Sequence, residues 1–148
     1  MNLTRRQTLA VLATATLGGC AGAGVPSSGN SALGPVDVGA IEAYPADGVY
    51  AGFRDRHELF IVRAGNRIFA QSAICTHRRC ALAAAEAGFV CGCHGSTFTL
   101  QGKVTRGPAV QDLPRFAIEK DARGHLLVHP ERVLATGQFD EPGAFIAL

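Results

Sequence analysis

The sequence predicts an all-β fold, a sandwich or barrel-like arrangement of short strands, and three observations predict it. Hydrophobic residues make up 47% of the chain but gather in short runs rich in β-branched and aromatic side chains. Eighteen Gly and seven Pro punctuate those runs at turn-like spacing. Helix-favouring composition is confined to residues 81–87, a stretch too short to organise a helical domain. Short strands with regular turns between them pack as sandwiches or barrels. The 148 residues suffice for one compact domain with some extra chain, and not for two.

Residues 1–19 read as an export signal. Arg5 and Arg6 precede an Ala/Leu/Thr-rich stretch that runs to Gly19, the charge-then-apolar pattern of a secretory leader. The adjacent arginines resemble the signal of the bacterial twin-arginine pathway, which exports proteins already folded. Leu17-Gly18-Gly19-Cys20 resembles a lipoprotein box in which the Cys20 thiol receives a diacylglyceryl group. Cleavage after Ala23, or an uncleaved anchor, are the competing readings. Residues 20–35 are Gly, Ala, Ser and Pro with little to bury, as in a flexible tether.

The domain proper is placed at 36–130. Strands are expected over 36–41, 48–53, 58–63 and 67–74, with Ala64-Gly65-Asn66 turning a hairpin between the last two. Further strands are expected at 89–91 and 97–100, followed by a turn at Gln101-Gly102-Lys103. A final hairpin joins 116–120 to 125–129 over Asp121 to Gly124. Phe53, Phe60, Phe69, Phe89 and Phe116 are expected in the core. His57, His125 and His129 are expected at the surface or at strand ends. The tail, 131–148, carries Phe139, Phe145 and Ile146 and is expected to pack on the domain or on a partner.

Charge excludes one class of partner. The chain has 14 Lys and Arg against 12 Asp and Glu; without Arg5 and Arg6 the balance becomes 12 against 12. A near-neutral protein lacks the basic stripe that binds nucleic-acid phosphates. No run approaches the roughly 18 to 20 apolar residues of an ordinary membrane-spanning helix, so membrane attachment is expected to come through a lipid on Cys20.

Four of the five cysteines fall close together, in Cys75-Thr76-His77-Arg78-Arg79-Cys80 and in Cys91-Gly92-Cys93-His94-Gly95-Ser96. Each box offers thiol and imidazole at ligand spacing, C-x-H and C-x2-H. Two loops of that kind can converge on a binuclear centre, giving sulfur ligands to one metal ion and nitrogen ligands to the other. A structural zinc site is the alternative, although zinc sites usually begin C-x2-4-C and pair histidines at x3-5. A metal-free disulfide scaffold would leave the paired histidines unexplained.

The double box resembles the Rieske 2Fe–2S family, in which two histidines replace two cysteines on one iron. The resemblance spans about Leu59 to Val128 and implies a Rieske-type antiparallel β-sandwich with two cluster-binding loops holding one 2Fe–2S cluster. It implies Cys75 and Cys91 as thiolate ligands and His77 and His94 as imidazole ligands. Cys80 and Cys93 match the disulfide of the exported, quinol-oxidising branch, a bond suited to an oxidising periplasm. Ser96 matches the hydroxyl donor to a cluster sulfide, which raises the potential by stabilising the more negative reduced state. Phe98 stands where that branch often has Tyr, so one donor is missing. Gly107-Pro108-Ala109 resembles the loop that covers the cluster, while Val110 replaces a second proline sometimes found there.

Arg78-Arg79 departs from the apolar residue and glycine usual in quinol-docking relatives, and favours an acidic redox partner. The expected function is single-electron transfer on the periplasmic side of a bacterial inner membrane. The chain is expected to be a carrier or oxidoreductase subunit, since no residues outside the boxes supply a nucleophile or an acid–base pair. Subunits of quinol:cytochrome c oxidoreductases, the small subunit of arsenite-oxidase-like enzymes and a stand-alone carrier all fit. The length speaks against an aromatic-ring oxygenase component, and the leader and the extra cysteine pair against a cytosolic ferredoxin. The reading from a different class is a zinc- or disulfide-stabilised periplasmic binding module without redox function.

Overall fold

The structure is a computed structural model, and it describes residues 34–148. The expected export signal, residues 20–33 of the expected tether and Cys20 lie outside the described residues. The described chain is nearly all strand: β1 (Val36–Ala40), β2 (Gly48–Tyr50), β3 (Leu59–Ala64), β4 (Arg67–Ser72), β5 (Leu82–Ala85), β6 (Gly88–Cys91), β7 (Thr97–Thr99), β8 (Val104–Arg106), β9 (Arg115–Lys120), β10 (His125–Leu134) and β11 (Ile146–Ala147). A 3-10 turn (Ile41–Ala43) and one α-helical turn, α1 (Arg54–His57), interrupt them.

The strands form two sheets with antiparallel pairing throughout. The larger runs β1-β10-β9-β4-β3-β2, with β11 also paired to β4; the smaller runs β5-β6-β7-β8. Alternation along β3 shows how one sheet serves two cores. Leu59 and Ile61 point to one side with Val36, Val38, Ile68, Ala70, Ile118, Leu126 and Val128. Phe60 and Val62 point to the other with Phe69, Leu82, Phe89 and Phe98, because successive side chains on a strand face opposite ways. Central strands buried on both faces read as continuous apolar runs, which is how Leu59 to Val62 reads. The second core lies between the two sheets, and its far end contains Cys75 and Cys91. Phe60 stacks on Phe89 across it, with ring centroids 5.0 Å apart.

Several expectations are corrected. Within residues 81–87, where composition favours helix and no strand was expected, Leu82–Ala85 is a strand, paired Leu82 to Cys91 through Ala85 to Gly88. Seven residues cannot repay helix nucleation, whereas a hairpin buries Leu82 and leaves the alanines exposed. Gly88 has φ +145, and an added Cβ there would lie 2.0 Å from the Phe98 carbonyl oxygen, so only glycine admits the close approach of β7. Strands β8 and β11 and turn α1 were not expected. The second expected strand stops at Tyr50. Phe60, Phe69 and Phe89 are buried, but Phe53 and Phe116 are only half-buried at the margin of the first core.

The last fourteen residues lie against β4 and β9. Arg115, only 4% exposed, is sandwiched between Phe69 and Phe139, its guanidinium carbon 3.6 and 4.2 Å from the ring centroids. Burial lowers its pKa to about 10, and the two ring faces offset part of the desolvation cost. Arg67 pairs with Asp140 and lies 4.1 Å over the Phe145 ring. Of the outlying histidines, His57 ends α1, while His125 and His129 sit on β10, with His125 Nδ1 3.0 Å from the Asp37 carboxylate.

Candidate metal centre

Two loops, one between β4 and β5 and one between β6 and β7, repeat one backbone hydrogen-bond pattern. In the first, Cys75 N–H donates to the Cys80 carbonyl (2.8 Å) and Arg79 N–H donates to the Cys75 carbonyl (2.9 Å). In the second, Cys91 N–H donates to the Ser96 carbonyl (2.8 Å) and Gly95 N–H donates to the Cys91 carbonyl (2.9 Å). The fifth residue of each turn is left-handed, Arg79 at φ +56 and Gly95 at φ +76. Equivalent backbones place Cys75 and Cys91 equivalently, at the base of each loop where it leaves the core.

A third segment ties the two loops together. After β8 the chain passes a cis Gly107–Pro108 bond. Ala109 N–H then donates to Ser96 Oγ at 3.0 Å, and Thr76 Oγ1 donates to the Gln111 carbonyl at 2.7 Å. The base of this segment is held from beneath. Buried Gln71 donates through Nε2 to the carbonyls of Leu113 and Pro114, both at 2.9 Å, and Asp112 Oδ1 accepts from Val104 N–H at 2.8 Å. Gly102, at φ +82, makes room for Gln71: a Cβ there would lie 2.6 Å from Nε2. Sequence reasoning missed Thr76, Gln71, Gln111 and Asp112. The available signal was a glutamine inside the apolar run of β4.

The candidate ligands named from the sequence sit on these two loops. Cys75 and Cys91 are free thiols, each 1% exposed. The His77 and His94 rings meet edge to face with centroids 4.9 Å apart, His94 exposed and His77 half-buried. Thiols therefore lie on the protein side and imidazoles on the solvent side. His77 Nδ1 is buried and has no hydrogen-bond partner; a buried polar atom without a partner in such a setting calls for a ligand. Cys80 and Cys93 form a disulfide between the two loops, with Cα atoms 6.5 Å apart. Their sulfurs and Cys91 Sγ lie within 4.8 Å of one another, but bonded sulfurs are not thiolate donors, so the thiol donors left are Cys75 and Cys91. Buried Ser96 accepts from Ala109 and keeps its own proton to donate. Phe98, 2% exposed, is part of the same core as the two thiols and brings no hydroxyl.

Two buried thiols on the two loops and two imidazoles in contact, one nitrogen unpartnered, fit a binuclear iron–sulfur cluster with mixed donors. The comparisons agree. A family model described as Rieske [2Fe-2S] domain matches residues 34–117. The chain is 32% identical over 141 residues to the cytochrome b6-f complex iron-sulfur subunit 2 of Synechocystis sp., covering 73% of this chain and 74% of that one. It is 41% identical over 61 residues to the chloroplastic iron-sulfur subunit of the cytochrome b6-f complex of Arabidopsis thaliana, covering 40% of this chain and 27% of that protein. The match thus spans about a quarter of the plant protein's length. The crystal structure of the plasma membrane Rieske protein PetC3 from Synechocystis superposes with a TM-score of 0.52 at 36% identity, covering 64% of this chain and 98% of that one. No helix among the described residues is long and apolar enough to cross a membrane. The family carries a Rieske 2Fe–2S cluster and transfers electrons, and by the extent of these matches together with the donor set at its two loops, this chain belongs to the Rieske 2Fe–2S family.

Proposed function

We propose that the chain is a single-electron carrier whose 2Fe–2S cluster is held by the thiolates of Cys75 and Cys91 and by His77 and His94. What supports the reading is that the two loops carry two free, buried thiols and two touching imidazoles, one of which has a buried, unpartnered Nδ1. When bound, the cluster supplies reversible one-electron chemistry. The residues around it set the conditions. Burial of the two thiols keeps water from the sulfur side, while exposed His94 offers the short path to solvent and to a partner. The Ser96 hydroxyl, oriented by Ala109 N–H, is a donor available to a cluster sulfide. Phe98 supplies no second donor.

The proposed setting is the periplasmic side of a bacterial inner membrane, reached through the twin-arginine pathway and held by a lipid on Cys20. The Arg5-Arg6 pair and the Gly18-Gly19-Cys20 box support it, as does the Cys80–Cys93 disulfide, which persists in oxidising compartments. The plasma-membrane relative is consistent with the same setting. We assign the chain a redox partner in a respiratory or related electron-transfer complex, because its relatives are named as subunits of one.

Iron and acid-labile sulfide analysis tests the site. Anaerobically purified full chain is expected to hold about two iron and two sulfide, and Cys91→Ser to lose both. Zinc without sulfide would overturn the reading. For the setting, Arg5→Lys/Arg6→Lys is expected to abolish export and Cys20→Ala to release the protein from membranes; an unmodified mature protein starting after Ala23 would remove the lipid anchor.

A further inference from the structure

The three segments that enclose the site carry an unbalanced charge. Residues 74–81, 91–96 and 106–111 contain Arg78, Arg79 and Arg106 and no Asp or Glu, in a chain whose charges otherwise nearly cancel. All three arginines are exposed. Arg78 and Arg79 follow His77 directly. Arg106 lies opposite Thr97 on β7, one residue beyond Ser96, and leads into the segment that bonds Ser96. Among the described residues Arg54, Arg63, Arg67 and Arg123 each lie within salt-bridge reach of a carboxylate, whereas Arg56 and Arg132, outside these three segments, are exposed and unpaired. Among the described residues none of the three at the site is so paired. On the third of these segments Val110, next to Ala109, is 87% exposed.

Arg79 adds an independent observation. Its φ of +56 is a left-handed conformation that glycine adopts readily and an L side chain does not, and the matching fifth position of the other loop is Gly95. The loop therefore carries a cation at a position where glycine folds more easily. A strained, solvent-facing arginine beside a ligand imidazole is a reason to look for function outside the fold's own stability.

We propose that Arg78, Arg79 and Arg106 form a basic collar around the exposed imidazole and the Val110 tip, and that it docks an acidic electron-transfer protein bearing a small apolar contact patch. The inference rests on the Rieske reading of the site. Charge complementarity steers the encounter and orients it; Val110 provides the desolvated centre that a brief redox complex needs. One electron passes between the two proteins without bond making or breaking.

The test uses the full, cluster-loaded chain in stopped flow. Oxidation of the reduced protein by hexacyanoferrate(III), which takes one electron to become hexacyanoferrate(II), is expected to slow about tenfold as salt rises from ~0.01 to ~1 M, because the screening length falls from about 30 to about 3 Å. Oxidation by a tris(phenanthroline)cobalt(III) cation is expected to speed up instead. Arg78→Glu/Arg106→Glu is expected to reverse both slopes. Arg79→Gly is expected to raise the thermal midpoint while weakening the anion's advantage, a combination that a merely structural arginine would not give. With an acidic plant-type ferredoxin as reductant of the oxidised chain, Val110→Ser is expected to slow transfer several-fold while leaving the hexacyanoferrate rate unchanged. Salt slopes unaltered by charge reversal would overturn the collar. Steering of hexacyanoferrate without steering of the ferredoxin would overturn the protein-docking role. Iron content and the reduced-state paramagnetic signal of every variant separate these outcomes from failure of the cluster assignment itself.

Discussion

The disulfide joining the two loops makes a prediction whose size follows from the chain. Cys80 and Cys93 are 13 residues apart in sequence. In the chain-entropy account, closing a loop of about 14 residues removes unfolded-state entropy worth about 3 kcal/mol at 25 °C. Little native packing goes with it, since Cys93 is exposed and Cys80 only half-buried. Cys80→Ser/Cys93→Ser is therefore expected to lose about 3 kcal/mol of stability. A single substitution is the poorer experiment: the thiol left behind lies within 4.8 Å of Cys91 Sγ and is a competing donor beside it. In guanidinium titrations followed by far-ultraviolet circular dichroism, with a slope of about 3 kcal/mol/M for a domain of this size, the midpoint should fall by about 1 M. The wild type under reducing conditions should fall equally. Coincident midpoints for the oxidised wild type and the double variant would refute the reasoning, and would mean that the hydrogen-bonded segment after β8 holds the loops unaided.

Other expectations follow from single contacts. Gly88→Ala should destabilise the fold by about 3 kcal/mol or more, because its Cβ meets the Phe98 backbone, whereas Gly65→Ala, left-handed but in open space, should cost only about 1 to 2 kcal/mol; equal losses in thermal melts would refute the close approach. Phe139→Leu should cost about 1 to 2 kcal/mol by removing one face of the Arg115 sandwich, and an unchanged melting curve would count against it. Asp37 is held below its ordinary pKa of 3.8 by the Gly39 N–H and then by the His125 imidazole. Its contribution is thus fully present above the unfolded value and is lost as pH falls through the lower folded one; the stability gap between wild type and Asp37→Asn should shrink on acidification, and a gap that widens would reverse the sign. Ser96→Ala should lower the reduction potential and Phe98→Tyr should raise it, as read by voltammetry; no upward change for Phe98→Tyr would show that the missing hydroxyl does not matter here.

The sequence was most legible where chemistry and geometry coincide. Cys75, His77, Cys91 and His94 announce themselves by residue type and spacing; the structure sets the two imidazoles edge to face and buries both thiols in one core. The apolar runs of β3 and β4 are equally plain because those strands are buried on both faces. What escaped depends on partners distant in the chain. Alanine favours helix locally, yet Leu82–Ala85 is a strand because β6 lies alongside it. Val104–Arg106 is too short and polar to read as a strand without β7. Nothing near Gln71 in sequence predicts that it anchors Leu113 and Pro114, and Arg115 reads as a surface cation until Phe139 covers it.

The central claim is that two thiolates and two imidazoles hold one diiron centre, and pulsed electron–nuclear resonance on dithionite-reduced protein labelled with 15N-histidine tests it most directly. The account predicts strong couplings from two histidine nitrogens, both retained in a variant with His57, His125 and His129 replaced by Gln and both weakened or lost in His77→Ser or His94→Ser. A reduced protein without nitrogen couplings, or one silent in paramagnetic resonance and holding zinc, would contradict it.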